Sequence, residues 1–336
     1  MGAGASARAS VSPILTITAS ATTTEIPGGK VSDIFVYPIK SCRGISVSSA
    51  PFTPAGFRWD REWMVVNSRG KAISQRNEPK LALVHVDLPN EAFAEDWQAP
   101  EDSFMELKAP GMQPLKVCLG KQPELKNGFS VWEWTGSAWD EGSEASQWFS
   151  AFLGKPSQLV RFNTASEVRQ VDPDYVKGHH PTLFTDGYPF LLSSQDSLNA
   201  LNELLEEPIN INRFRANSWC SILVEGCEPF AEDLWSEIKI GRFSFLGSKM
   251  CGRCKITTTD QETAIVGREP LQTLMTFRSG KLIRPQDKKN RAMSYFGQYV
   301  VWNWNDSSAK GSGKVLKVGD PVYVLQKFSS PAEAPA

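Results

Sequence analysis

Cys251-Gly252-Arg253-Cys254 sets two thiols three positions apart, a spacing that serves soft-metal ligation, disulfide exchange or attack on an electrophile. A structural zinc site needs four ligands, usually two such pairs, and the nearest histidine is as far back as His180. A thioredoxin-like pair opens a helix inside a βαβ unit, whereas this one lies between an expected hairpin and the run Thr257-Thr258-Thr259. What remains is a thiolate beside Lys249, Arg253 and Lys255, cations that favour the charged sulfur, which is the form that ligates metals.

Two further segments carry chemistry: Tyr37-Pro38-Ile39-Lys40-Ser41 near the start and Phe296-Gly297-Gln298-Tyr299 near the end. With Asp60-Arg61, Arg215 and Gly319-Asp320-Pro321-Val322, this set resembles, in order and separation, the MOSC family of molybdenum-cofactor proteins. Within that family it is similar to the amidoxime-reducing component with its MOSC N-terminal partner, from about Val31 to Leu325. The resemblance implies that Cys254 coordinates molybdenum, alongside two dithiolene sulfurs of a pterin and oxo groups; thiolates donate strongly enough to hold a high-valent ion. Cys251 is then a buried neighbour.

The pterin's phosphate and hydrogen-bonding edges call for cations and polar partners, and the resemblance assigns Lys40, Ser41, Arg61, Arg215 and Asn217 to them, with Tyr299 lining the pocket. The chain departs from the pattern twice. Asp186-Gly187-Tyr188-Pro189 stands where relatives place small hydroxyl residues, so contacts from Gly187 and Tyr188 would use the backbone or the phenol. Ser218-Trp219-Cys220-Ser221 looks like four additional residues before a core strand, a number that preserves a strand's inward and outward alternation.

The implied reaction is two-electron reduction of an N-hydroxylated substrate, an amidoxime, N-hydroxyguanidine or hydroxylamine, with Asp186 as the candidate acid. No GxGxxG and no haem or iron–sulfur ligand set is evident, so no directly bound NAD, flavin or haem is expected. Electrons would come from cytochrome b5 and NADH-cytochrome b5 reductase, as in the relatives, and Arg278, Lys281, Arg284, Lys288, Lys289 and Arg291 offer a basic face to an acidic partner. Two other functions stay open. One is a sulfurtransferase carrying a persulfide on Cys254, a role that elsewhere accompanies a pyridoxal-phosphate enzyme for which this chain has no room. The other is a molybdenum-cofactor carrier without turnover, or a partner in nitrite-to-nitric-oxide chemistry.

The elements that must position these residues read as short strands with sharp turns. Val31 to Tyr37 alternates, Glu62 to Asn67 is β-rich, and Asn67-Ser68-Arg69-Gly70 turns the chain toward Ala72 to Gln75. Asp87 to Gly120 is broken by prolines and acids and reads as loops and marginal strands, and Val131-Trp132-Glu133-Trp134 resumes a strand. Ser143 to Leu153 spaces Ala145, Trp148, Phe149 and Phe152 as a helix stopped by Gly154 and Pro156. Ser194 caps a second helix with Leu198, Leu201, Leu204 and Leu205 as a core stripe ending at Pro208. Strands follow at Ile222 to Val224, Ile238 to Ile240, Phe243 to Phe245, Tyr299 to Trp304 and Val322 to Leu325. The fold class is mixed α+β, mainly β, with a MOSC-type β-barrel packed on an N-terminal β-barrel-like domain.

With 336 residues and 41% hydrophobic, the chain is expected to divide into an N-terminal domain over 31–160 and a MOSC domain over 161–326, flanked by disordered ends, 1–30 and 327–336. A net charge of -1 attracts neither nucleic acid nor an anionic membrane, and the start has no apolar run able to cross a bilayer. Six cysteines read as reduced thiols inside a cell. The Ser-rich, acid-poor start has one arginine, Arg8, which leaves mitochondrial or plastid import and a cytoplasmic residence open; Met1-Gly2-Ala3-Gly4-Ala5-Ser6 also fits the N-myristoylation pattern.

Overall fold

The computed structural model describes residues 25–215, 220–303 and 311–336, without the side chains of Arg215 and Cys220. Asn217, Ser218 and Trp219 therefore lie outside the described residues, as do most of the N-terminal extension and the myristoylation pattern.

The chain is mainly β, built on a closed barrel of seven strands. Ile26–Val36 pairs antiparallel with Pro321–Lys327 on one side and with Cys220–Glu225 on the other. Cys220–Glu225 runs parallel to Phe190–Ser194, and the ring continues through Ser294–Trp302, Phe243–Arg253 and Trp235–Ile240 back to Pro321–Lys327. Alternate residues fill the interior: Ile34 and Val36 meet Ile222, Val224, Ile238, Ile240, Phe245, Val300, Val322 and Val324, all buried.

Gly28-Gly29 looks like a strand breaker, yet the first strand begins at Ile26, because Gly29 forms a bulge at φ 100° where the register shifts. A Cβ there would stand 2.0 Å from the Glu225 carbonyl oxygen, so only glycine permits the two strands to approach.

A second sheet, ordered Trp63–Asn67, Ser157–Phe162, Trp134–Asp140, Glu124–Val131, receives the helix Ser143–Leu153. That helix has the expected span and stops at Gly154 in the left-handed conformation. Trp63, Val65 and Leu159 of this sheet share one core with the barrel, while Met64, Val66, Val160 and Phe162 pack with Leu183 and Phe184.

Three local expectations are corrected. Val131 to Trp134 is a hairpin turn between two strands, Glu124–Val131 and Trp134–Asp140, with Trp132 at φ 55° closing the turn. The segment from Asp87 to Gly120 contains Phe104–Lys108, which pairs with His85–Asp87 on one side and with Leu115–Cys118 on the other; Met105, Leu107, Leu115 and Val117 turn inward. The helix capped by Ser194 ends at Asn202, whose side chain exchanges two hydrogen bonds with the Ile209 backbone, at 2.9 and 3.0 Å, and Leu204 is left 56% exposed.

The last residues are packed. Ala334 is fully buried against Met250 and Tyr295, and the Pro335 carbonyl accepts from Met250 N at 2.8 Å. Among the described residues no helix is long and apolar enough to cross a membrane.

Candidate functional site

Cys251 and Cys254 leave the same strand in opposite environments. Phe243–Arg253 carries a bulge between Met250 and Gly252, so Cys251 is buried in the small core with Leu191, Phe214 and Phe296. Cys254 ends the strand in extended geometry and caps a 3-10 turn, Lys255–Thr258. Its Sγ, half-buried, accepts from Ile256 N–H at 3.5 Å, and its carbonyl accepts from Thr257 N at 3.1 Å and Thr257 Oγ1 at 3.0 Å.

The cations expected to flank the thiol are differently employed. Arg253 turns inward, donating to the Phe296 carbonyl at 2.8 Å and the Phe214 carbonyl at 3.2 Å, and lies over both rings. Lys249 sits 4.0 Å from the Tyr175 ring centre, and Lys255 faces solvent.

Arg213 grips the turn from the other side. Its guanidinium donates to the carbonyls of Thr257 (3.2 Å), Thr258 (3.3 Å) and Glu269 (3.0 Å) and pairs with Asp260 at 3.1 Å. The sequence pattern points to Arg215 in the stretch Arg213-Phe214-Arg215; spacing alone gives no sign that the first arginine reaches three carbonyls of a distant loop. Beyond the turn, Gln261 and Gln75 exchange amide bonds at 3.1 Å, and Gln75 Nε2 also donates to the Ser41 carbonyl at 2.8 Å. That bridge ties the Cys254 loop to the Lys40-Ser41 segment.

Lys40 is buried. Its Nζ donates to the Phe184 carbonyl at 2.9 Å and pairs with Asp186, whose carboxylate also accepts from Trp132 Nε1 at 2.9 Å. Burial lowers the Lys40 ammonium from its usual value, opposed by Asp186. Arg61 is buried over the Tyr37 ring at 5.1 Å and paired with Asp60, which in turn accepts from Tyr37 N at 2.9 Å. Ser41 and Arg61 hold φ of 69° and 52°, left-handed values that non-glycine residues rarely adopt and that cluster where function demands them. Arg169, which no sequence motif singles out, donates to the carbonyls of Leu183 (2.9 Å) and Thr185 (2.6 Å) and faces Asp186.

Tyr188 and Tyr299 stack at 4.4 Å and 20°. Tyr299 hydrogen-bonds Cys251, and burial followed by that thiol raises its phenol well above the usual value. The Tyr188 hydroxyl is buried with no hydrogen-bond partner, and Gly187, at φ 137°, has open space where a Cβ would project. Lys40, Ser41, Arg61, Asp186, Gly187, Tyr188 and Tyr299 thus form one neighbourhood, reached by Cys254 through Cys251 on one side and the Gln261–Gln75 bridge on the other. The Arg215 side chain and Asn217 lie outside the described residues.

This donor set suits an anionic, hydrogen-bonding organic group with a soft ion. Two buried cations and one half-buried cation, Lys40, Arg61 and Arg169, converge beside Asp60 and Asp186, with Glu133 also facing Arg169. The unpartnered Tyr188 hydroxyl and the open space at Gly187 fit the same group.

The basic face loses its first member: Arg278 is buried, paired with Asp233 and lying over the Phe230 ring. Arg284 donates to the Pro331 and Ala334 carbonyls of the C-terminal segment. Lys281, Lys288, Lys289 and Arg291 are exposed.

Residues 28–156 match the MOSC N-terminal beta barrel domain and residues 179–323 the MOSC domain. The chain is 31% identical over 306 residues to mitochondrial amidoxime-reducing component 1 of Homo sapiens, spanning 88% of this chain and 83% of the relative. It is 35% identical over 308 residues to mitochondrial amidoxime reducing component 2 of Bos taurus, with the same two coverages.

Proposed function

The chain belongs to the MOSC family and is of the amidoxime-reducing type, and from that premise we propose that it is a molybdenum-cofactor oxidoreductase acting on N-hydroxylated compounds such as amidoximes and hydroxylamines. The observation that carries the reading is the half-buried Cys254 sulfur held by Ile256 N–H and joined through Gln261 and Gln75 to the cationic neighbourhood of Lys40 and Arg61. In this reading Cys254 is the metal ligand. Lys40, Ser41 and Arg61 grip the pterin and its phosphate, with Arg215 and Asn217 assigned by family resemblance, while Gly187, Tyr188 and Tyr299 line the organic part. When bound, the molybdenum cofactor would supply the two-electron reduction chemistry.

The chain's own groups orient substrate and move protons. Asp186 is the proton carrier, and its source is adjacent: Lys40 Nζ donates to it, and burial makes that ammonium proton easier to release. Electrons would arrive from cytochrome b5, reduced by NADH-cytochrome b5 reductase, with Lys281, Lys288, Lys289 and Arg291 as the steering face. A mitochondrial setting is the reading that the mitochondrial amidoxime-reducing relatives support.

Cys254→Ala is the direct test. Molybdenum per chain and benzamidoxime reduction should both fall to background while circular dichroism stays native; retention of both removes the reading. Metal without turnover in the unaltered protein would identify a carrier, and cyanolysable sulfur on Cys254 a sulfurtransferase.

A further inference from the structure

A cleft of about 630 Å³ opens between Trp59, Trp97, Phe162 and Leu183, away from the Cys254 turn. Its size is that of a small-molecule site, and its walls are chiefly apolar and aromatic with a few convergent polar groups. Three segments build it: 53–62, 97–99 and 162–183. Phe162, Thr164, Glu167, Val168 and Arg169 fall between the two stretches matched by the MOSC family, so nothing in the family description assigns the cleft.

The walls are held from behind. Arg58 directs its guanidinium to the carbonyls of Ala94 (2.7 Å), Glu95 (2.7 Å) and Trp97 (3.3 Å), fixing the loop that carries Trp97. Trp59 is locked by its indole N–H on the Ala92 carbonyl at 2.9 Å and stands edge-on to Trp97 at 5.7 Å, leaving ring surface toward the cleft. Glu167 accepts twice on Oε1 from Ser137, from its backbone at 2.8 Å and its hydroxyl at 2.6 Å. Glu62 adjoins the aromatic wall: its Oε1 accepts from Trp59 N–H at 3.1 Å, and the carboxyl lines the cleft with acceptor capacity to spare. The lining charges balance, Arg58 and Arg169 against Glu62 and Glu167, so a ligand of either sign gains little net attraction.

We propose that this cleft binds a flat, neutral aromatic molecule that stacks on Trp97, meets the nearly perpendicular Trp59 ring edge to face, and donates one hydrogen bond to Glu62. Arg169 is both a wall of the cleft and the clamp on Leu183 and Thr185, immediately before Asp186, so an occupant here rests against the element that positions the proton carrier.

Indole and benzofuran differ by one N–H and serve as the matched probes, titrated calorimetrically into the cofactor-loaded protein. Indole should bind at least about tenfold more tightly than benzofuran, since a buried acceptor left without its donor is costly. Glu62→Met, which removes the acceptor and keeps the bulk, should abolish that preference while both compounds still bind. Ala99→Trp, which fills the cleft from its rim, should abolish binding of both, and it covers the case in which Glu62→Met does not fold. Equal affinity for the two probes, or unchanged binding in Ala99→Trp, would each overturn the proposal. Benzamidoxime reduction by the same variants, measured without probe, reports separately on the reducing site.

Discussion

Cys254 and Arg213 act on the two ends of one turn, the thiol presenting the sulfur and the guanidinium holding the far end in place. Because that arginine touches two carbonyls of a four-residue element, Arg213→Lys keeps the charge but loses the fork. We expect it to retain roughly a tenth or less of the molybdenum of the unaltered protein at equal ligand supply, the cost typical of a residue that orients a metal ligand. Metal content and the line shape of the paramagnetic resonance signal check it; an unchanged signal with only a lowered melting point would reduce Arg213 to a packing role. Cys251→Ala should instead cost of order 1 kcal/mol of stability and leave bound metal in place, because Cys251 sits among Leu191, Phe214 and Phe296. At this scale the sequence speaks through short motifs: Lys40, Arg61 and Tyr299 stand where those motifs direct attention. Arg169 and Arg213 are silent, since each acts by reaching carbonyls across the fold, and no local pattern announces which of many arginines does so.

The elements are legible wherever a single period governs them. Ser143–Leu153 shows its stripe and its stop, and the Ser194 cap is visible in the side chain accepting from Asp196 N and Ser197 N. Elements hide where two influences compete. The hairpin at Trp132-Glu133 lacks the Gly and Asn signals of a two-residue turn, and Gly28-Gly29 conceals a strand behind apparent flexibility. Gly29→Ala tests the second case. With a Cβ 2.0 Å from a carbonyl and φ of 100°, it should destabilise the protein by about 2–4 kcal/mol, read as a shift in the denaturant midpoint. A loss under about 0.5 kcal/mol would mean that the bulge relaxes without effort.

Across the whole molecule, burial of an acidic pair couples stability to pH. Glu232 and Asp233 are fully buried beside Arg278, with Ser194 N and Ser197 Oγ donating to Glu232 at 3.2 and 2.8 Å. Burial, then the neighbouring Asp233, pushes the Glu232 carboxyl up to about 8 from 4.5. Between those values the folded chain keeps a proton that the unfolded chain has released, so this stability is complete below about pH 4.5 and is lost as pH rises through about 8. The melting temperature should fall from pH 5.5 to pH 8.5, and Glu232→Gln should flatten that slope; a slope of the opposite sign that survives the substitution rules the pair out as its source. On the surface, turnover through a reconstituted electron-transfer chain should decline with salt while a small artificial donor is indifferent, if Lys281, Lys288, Lys289 and Arg291 steer the donor protein. The seam of the barrel has a further consequence, in time. Lys30 finds its partner in Pro321, and at about 5–20 residues per second the early segment emerges from the ribosome about 15–60 seconds before its mate exists. Through that interval the edge that will receive Pro321–Lys327 stays open, so closure of the barrel waits until nearly the whole chain has been synthesised.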